Sequence, residues 1–364
     1  MLDPTQAGVS EEDWREATRA CFALRVADVI RETHDSCSLV FHVPAELEER
    51  FGYRAGQFLS FKLPLGGKVL TRSYSLSSSP ECDPKLELRV TVKRIDDGRI
   101  SNWINDNVTA GDRLMVLPPA GLFVLNDRRR PISLFAGGSG ITPCISIAKT
   151  ALSTTARKLR LVYANRDAAS IIFEHELDEL VAAHPDRFEI HHSLDDRDGF
   201  LDLRRVEHYA VDSLESDFYL CGPGVFMDLV ERALAALHVP SDQIHIERFV
   251  SPPDPDAERI DAAAASGEAA HVAPEKISVV LDGTVHEVDY KSEERVLEAA
   301  RRAGLDPPFS CEEGYCSCCM AKLTEGKVRM HANDCLTSDL LEEGWVLTCQ
   351  AVCISRKVKI EYPD

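Results

Sequence analysis

Seven of the twelve cysteines in this 364-residue chain fall between Cys311 and Cys353. Cys311, Cys316 and Cys319 follow the pattern C-x4-C-x2-C, and 29 residues separate Cys319 from Cys349. Thiolates so spaced can hold a [2Fe–2S] cluster, with a tight loop around one iron and a distant cysteine closing the cage. Gly314 permits the sharp loop. A zinc site from Cys316-x2-Cys319 and Cys349-x3-Cys353 is the competing reading, but it leaves Cys311 without a role. On the cluster reading Cys318, Cys335 and Cys353 are bystanders.

Two further runs could bind nucleotides. Arg72-Ser73-Tyr74-Ser75 offers a cation for a pyrophosphate, an aromatic face for a flavin ring and a small hydroxyl for its redox-active nitrogen. Gly56-Gln57-Phe58 precedes it. Gly98-Arg99-Ile100-Ser101 follows, where backbone and hydroxyl donors at a helix start would suit phosphate. The second run, Ala136-Gly137-Gly138-Ser139-Gly140-Ile141-Thr142-Pro143, lies between an apolar strand and a helix. Glycines there let the backbone approach a pyrophosphate, although the run does not match G-x-G-x-x-G.

These residues need three kinds of scaffold. From Cys21 to Asn126, short alternating or β-branched runs at Ser38, Gln57 and Leu86 predict an antiparallel barrel, with one helix at Ser101–Asn107. From 127 to 250 the pattern becomes strand–helix alternation. Strands are expected at Ile132, Lys158, Phe188 and Asp217, and helices at Glu174–Ala183 and Phe226–Leu237, as in a parallel sheet covered on both faces. Residues 251–273, rich in Pro, Ala and Asp, read as a linker. From 274 to 364, a hairpin turns at Asp282-Gly283. A helix follows, with Ser292 as N-cap, Val296, Leu297, Ala300 and Ala303 on one face, and Gly304 as its end. Residues 1–20 read as an arm carrying a surface helix or loose segment.

Composition narrows the function classes. Apolar residues make up 44% and charged residues 28%, as in ordinary globular domains. A net charge of -19 disfavours nucleic acid and anionic membranes as partners. No apolar run reaches the ~18 residues of a spanning helix, and the acidic start reads as no export signal, so a cytoplasmic protein is expected. His191-His192 and His331 lack ligand company and read as solvated or packing histidines. Asp195-Asp196-Arg197-Asp198 reads as a charged turn.

The motifs resemble those of the ferredoxin–NADP reductase family, in particular the reductases of bacterial oxygenases that carry a fused plant-type ferredoxin domain. That resemblance rests on Cys311-Glu-Glu-Gly-Tyr-Cys-Ser-Cys-Cys, Glu325-Gly-Lys-Val and Gly344-Trp-Val-Leu-Thr-Cys-Gln, together with the flavin and glycine runs. It implies FAD, or in some relatives FMN, held by Arg72, Ser73, Tyr74, Ser75, Gly98 and Ser101 and lined by Val90, Val92 and Lys93. It implies a nicotinamide coenzyme on Gly138, Gly140 and Thr142. Cys221-Gly222-Pro223-Gly224 would lie beside the nicotinamide, and Glu247 and Phe249 at the flavin edge. Ser75, Cys221 and Glu247 are then the implied catalytic residues.

An electron path follows from three such modules. A nicotinamide yields two electrons as hydride, an iron–sulfur centre takes one at a time, and a flavin converts between them. The implied partner is a terminal oxygenase. Ser101-Asn-Trp103, Tyr163-Ala-Asn-Arg166, Ser170-Ile-Ile-Phe173 and Asn333-Asp bring the likeness nearest to reductases that serve the Rieske oxygenase of steroid 9-alpha-hydroxylation. Reductases of phenylacetyl-CoA-type or other aromatic-ring oxygenases share the layout. A redox sensor and a flavin oxidase are the other classes, though no helix-turn-helix or basic patch offers a sensor an output. Arg166 could bind the 2′-phosphate of NADPH, whereas Asp167 would repel it; NADH is the expected coenzyme, with NADPH the alternative.

Overall fold

The computed structural model describes residues 3–249 and 273–363, apart from 313, 315, 334 and 337. The chain forms two compact units that meet in sequence between Phe249 and Val250. Apart from Ala273, the expected linker lies outside the described residues.

The first unit opens with α1 (Glu11–Ala17), whose N-cap Ser10 accepts the Asp13 N–H at 3.1 Å. The segment before it is anchored, because the Gly67 N–H donates to the Ala7 carbonyl at 2.7 Å. Six strands follow: β1 (Phe22–Thr33), β2 (Ser36–His42), β3 (Phe58–Leu65), β4 (Lys68–Ser75), β5 (Glu87–Lys93) and β6 (Arg113–Val116). They pair antiparallel in the order β4-β3-β6-β1-β2-β5. A bridge between Leu76 and Val90, with the Ser77 N–H on the Arg89 carbonyl at 2.7 Å, joins the two edges as a barrel requires. Leu24, Leu39, Phe41, Leu59, Phe61 and Val90 fill its core. Helix α2 (Arg99–Asn107) begins two residues earlier than the sequence suggests, with Gly98 as N-cap.

The second half of this unit runs β7 (Ile132–Gly137), α3 (Ile141–Thr154), β8 (Leu159–Asn165), α4 (Glu174–Ala183), β9 (Phe188–Leu194), the single turn α5 (Asp195–Asp198), α6 (Leu203–Ala210), β10 (Asp217–Gly222), α7 (Gly224–Ala236) and β11 (Ile244–Arg248). The strands are parallel in the order β11-β10-β7-β8-β9. Every residue of β7 and β10 is buried, as expected when helices cover both faces. Leu134 and Ala136 pack with α3 on one face; Phe135, Phe218 and Leu220 pack with α6 and α7 on the other. Strand order reverses between β7 and β10. In such sheets the crevice beyond the strand ends at the reversal is where ligands bind.

The second unit runs β12 (Lys276–Leu281), β13 (Thr284–Asp289), α8 (Val296–Arg302), β14 (Met320–Glu325), β15 (Val328–Met330), α9 (Ser338–Glu342), β16 (Trp345–Leu347), β17 (Ala351–Cys353) and β18 (Lys359–Glu361). Its main sheet is ordered β13-β12-β18-β14-β16 around the parallel pair β12–β18, a β-grasp arrangement, with β15–β17 as a separate ribbon. Asp282 and Gly283 both have positive φ, the two-residue turn that the Asp-Gly signal predicts. Ser292 is not the helix cap. Glu293 takes a left-handed conformation, and α8 starts three residues later than expected, with the Glu298 carboxylate accepting the N–H of N-cap Arg295 at 3.2 Å. The buried face is Val296, Leu297, Ala299 and Ala300, whereas Ala303 is the exposed C-cap. Gly304, at φ +85°, ends the helix as expected. No helix among the described residues is long and apolar enough to cross a membrane.

Candidate functional site

The crevice at the strand reversal has a floor made of backbone. A Cβ on Gly140 would lie 2.0 Å from the Cys221 carbonyl oxygen, and one on Gly222 would lie 3.0 Å from the Gly137 nitrogen. Only glycine allows the two loops to approach this closely. Gly138, at φ +52°, turns the first loop and its carbonyl accepts the Tyr163 hydroxyl at 3.0 Å. Thr142 is buried and donates to the Ser139 carbonyl at 2.9 Å. Pro223 is the N-cap of α7. The loop is a preformed cradle at a helix start, suited to a pyrophosphate.

Barrel and parallel sheet meet beside this floor. Ser75, the last residue of β4, donates its hydroxyl to Glu247 Oε2 at 3.2 Å. Glu247 lies on β11 directly across from Cys221 on β10. Desolvation pushes the Glu247 carboxyl up to about 8, with the Ser75 hydrogen bond only partly opposing it. Desolvation likewise raises the Cys221 thiol, helped by Glu247 and Cys144. Near neutral pH the three side chains therefore form a largely uncharged pocket that holds protons. Cys144, one turn into α3 and fully buried, stands near enough to add to this effect, although no spacing in the sequence singled it out. Phe249 follows β11 and is 44% exposed.

The barrel side carries the flavin candidates. Tyr74 packs on Phe61 with ring centroids 5.3 Å apart, and Ser73 bonds Ser60 at 2.7 Å. Arg72 donates to the Thr71 carbonyl at 2.7 Å and is half-buried. Gln57 braces the end of the run, its carbonyl accepting the Leu76 N–H at 2.8 Å. At the α2 start, a Cβ on Gly98 would lie 2.4 Å from Ser101 Oγ. That hydroxyl accepts the Ile95 N–H at 3.3 Å, so it is held in a compact turn. The cation, aromatic ring and hydroxyl fit a flavin dinucleotide. Val90 and Val92 have their side chains buried in the barrel core, which leaves their backbone to line a ligand. Lys93 turns instead toward the glycine loop, its Nζ 3.8 Å from where a Gly138 Cβ would stand.

At the coenzyme rim, Arg166 does not stand free beyond β8. Its Nη2 pairs with Asp35 Oδ2 of the β1–β2 turn at 2.7 Å. A second set of contacts ties the barrel to the nucleotide half. Lys149 of α3 reaches Asp83 at 2.5 Å and Glu176 at 2.7 Å, and Glu176 also accepts from Arg89 at 2.7 Å. Sequence reasoning found none of these partners, since single charges far apart in the chain carry no local pattern.

In the second unit the four expected cysteines come together. Cys349 has the thiols of Cys311 and Cys319 within hydrogen-bonding reach, and Cys316 has those of Cys311 and Cys318. Cys311, Cys319 and Cys349 are at most 3% exposed. The Cys311 N–H points at Cys316 Sγ at 3.4 Å, and Gln350 Nε2 at Cys349 Sγ at 3.6 Å. Gly314, at φ +88°, turns the loop where a Cβ would lie 3.2 Å from the Ala332 carbonyl oxygen. Cys353 lies apart in another packing cluster with Tyr290, which disfavours the zinc set. Among the described residues no group of three or more His, Cys, Asp or Glu is arranged to hold a single metal ion. A row of four thiols with N–H donors suits a two-iron cluster instead. Cys318 is a fifth thiol at this row, and Cys335 donates to the Gly314 carbonyl at 3.4 Å.

Family profiles match each part: an oxidoreductase FAD-binding domain at residues 23–125, an oxidoreductase NAD-binding domain at 134–232 and a 2Fe-2S iron-sulfur cluster binding domain at 279–353. Fold and site thus define a flavin- and nicotinamide-dependent iron–sulfur oxidoreductase. The chain is 41% identical to the ferredoxin reductase component of 3-ketosteroid-9-alpha-monooxygenase from Rhodococcus rhodochrous, covering 93% of this chain and 96% of that protein. It is 33% identical to a component of the 1,2-phenylacetyl-CoA epoxidase from Escherichia coli, covering 93% and 97%. The chain belongs to the family of monooxygenase reductase components that these relatives represent. Among solved structures, phthalate dioxygenase reductase superposes with a TM-score of 0.58 at 25% identity over 95% of this chain and 99% of that one. A full-length cytochrome P450 from Tepidiphilus thermophilus gives 0.69 at 26% identity over 94% of this chain; the chain spans only 42% of that protein.

Proposed function

We propose that this protein takes hydride from NADH onto FAD and passes electrons singly through a [2Fe–2S] cluster to a terminal oxygenase, that of a 3-ketosteroid 9-alpha-hydroxylase. The observation that carries the reading is the junction of Ser75, Cys221 and Glu247, where the barrel meets the strand reversal. The bound flavin supplies the change from two-electron to one-electron transfer. Arg72 holds its pyrophosphate, Tyr74 packs against its ring, and Ser73, Gly98 and Ser101 shape the phosphate end. Gly138, Gly140, Thr142, Gly222 and Pro223 seat the coenzyme, and Phe249 shields the flavin edge. Cys311, Cys316, Cys319 and Cys349 bind the cluster.

The domain boundaries that go with this reading are a 1–20 arm, 21–126 for flavin, 127–250 for coenzyme, a 251–273 linker and 274–364 for the cluster. A cytoplasmic location is supported by twelve cysteines with no disulfide among them. The greater identity to the steroid-system reductase than to the phenylacetyl-CoA epoxidase component supports the choice of oxygenase. Reconstitution tests it: the holoprotein, NADH and the oxygenase component of a 3-ketosteroid 9-alpha-monooxygenase should yield hydroxylated steroid. Failure there, with turnover restored by an aromatic-ring oxygenase, would overturn the choice of partner.

A further inference from the structure

We propose that Asp35, contributed by the flavin barrel, selects NADH over NADPH by holding Arg166 away from the coenzyme's 2′-position. The inference rests on the NADH reading above and names the residue behind it.

The C-terminal end of β8 lies beside the glycine loop, since β7 and β8 pair in parallel from Ile132–Leu159 to Gly137–Ala164. Residues just after β8 therefore flank the adenosine half of a dinucleotide laid across the loop. A 2′-phosphate needs cations there, and Arg166 is the cation that follows the strand. Its guanidinium is already engaged: Nη2 lies 2.7 Å from Asp35 Oδ2.

The Asp35 carboxylate is built to stay in place. Its other oxygen accepts the hydroxyls of Thr33 at 2.8 Å and Ser36 at 3.2 Å, and its side chain is only 14% exposed. Lys93 stands 3.8 Å from the same oxygen that takes Arg166, and His34 stands 3.9 Å from it. Asp167 keeps its own negative charge beside the rim, accepting the Ser170 hydroxyl at 2.7 Å. A 2′-phosphate would thus meet a fixed carboxylate, a second carboxylate and a guanidinium that must first be detached. A 2′-hydroxyl pays none of these penalties and finds acceptors nearby.

The test uses the full-length holoprotein as wild type, Asp35→Asn, Arg166→Ala and the double variant. Asparagine keeps an oxygen for the Thr33 and Ser36 hydroxyls, so the turn is preserved. Two readouts are taken: kcat/KM with NADH and NADPH, using ferricyanide as acceptor, and the dissociation constants of ADP-ribose and 2′-phospho-ADP-ribose. Freeing one partly exposed pair should raise the NADPH-to-NADH efficiency ratio roughly fivefold. The affinity ratio of the two ADP-riboses should move the same way. Comparing ratios cancels any gain from releasing Lys93 toward the pyrophosphate, which both coenzymes share. The gain should vanish in the double variant. An unchanged ratio in Asp35→Asn, or a gain that survives loss of Arg166, would overturn the proposal. A wild-type preference for NADPH would refute the NADH reading by itself, while the change of ratio on Asp35→Asn still reports on Asp35.

Discussion

Replacing Lys149 by methionine should destabilise the first unit and misalign its two halves. Lys149 is 8% exposed at its side chain and lies between Asp83 and Glu176, while Arg89 remains on the far side of Glu176. Methionine fills the space but leaves two carboxylates facing each other with no cation between them, and only Arg89 beyond Glu176 to offset the charge. Breaking a fully buried pair costs about 3–5 kcal/mol. Because Asp83 and Glu176 are each about a quarter exposed, water screens part of that, and about 2–3 kcal/mol is the better figure. In a unit of this size each kcal/mol lowers Tm by roughly 2–4 °C, so a fall of about 4–12 °C is expected. Scanning calorimetry of the holoprotein is the assay. Adding Glu176→Gln to the Lys149 variant should recover part of the loss, because it removes one stranded charge. The contacts beside Lys149, Ser79 to Thr150 at 2.7 Å and Ser146 to the Ser78 carbonyl at 2.6 Å, join the same two halves. The variant should therefore lose kcat more than it loses bound FAD. A Tm within 1 °C of wild type, or effects of the two substitutions that simply add, would refute the reasoning.

Cys349→Ser should abolish or badly alter the visible iron–sulfur spectrum while NADH–ferricyanide activity survives, whereas Cys318→Ala should keep the spectrum; normal iron content in the Cys349 variant would refute the ligand assignment. Arg72→Ala should weaken FAD retention through loss of a charge-assisted contact, measured as flavin content after gel filtration. Glu247→Gln should gain stability over wild type as pH rises. The wild-type carboxyl titrates at 4.5 when unfolded and about 8 when folded, so the stability it confers is complete below 4.5 and declines up to about 8. The Tm difference between variant and wild type should widen across that window and level off above it; a difference that is flat with pH would show that Glu247 is not so perturbed.

The strands and glycine loops were legible because they depend on local pattern. Buried β7 reads as an apolar run broken only by Ser133, and Asp282-Gly283 forms its tight turn from its own backbone preferences. The cysteine row was legible because a cluster ligand set has a spacing. The Ser292 cap failed because Glu293 adopts a left-handed conformation and the helix is capped instead at Arg295, whose N–H is taken by Glu298, with no Ser, Thr, Asp or Asn at the cap position to signal it. The strand that carries Val90 and Val92 was legible, but which of its faces points into the core depends on how the barrel closes. Asp35 with Arg166, and Lys149 with Asp83 and Glu176, join residues far apart in sequence, and nothing in the neighbourhood of either partner announces the other.

The mutual fit of Gly140 against the Cys221 carbonyl, and of Gly222 against Gly137, has an evolutionary consequence. A side chain added to either loop would need the other backbone to move, so substitutions there must come in coordinated steps, each poorly tolerated alone. The charged rim has no such lock: single substitutions at Asp35, Arg166 or Asp167 leave the floor untouched. A lineage changing its reductant would therefore be expected to travel through the rim, one ion pair at a time, while the loops that grip the pyrophosphate stay as they are.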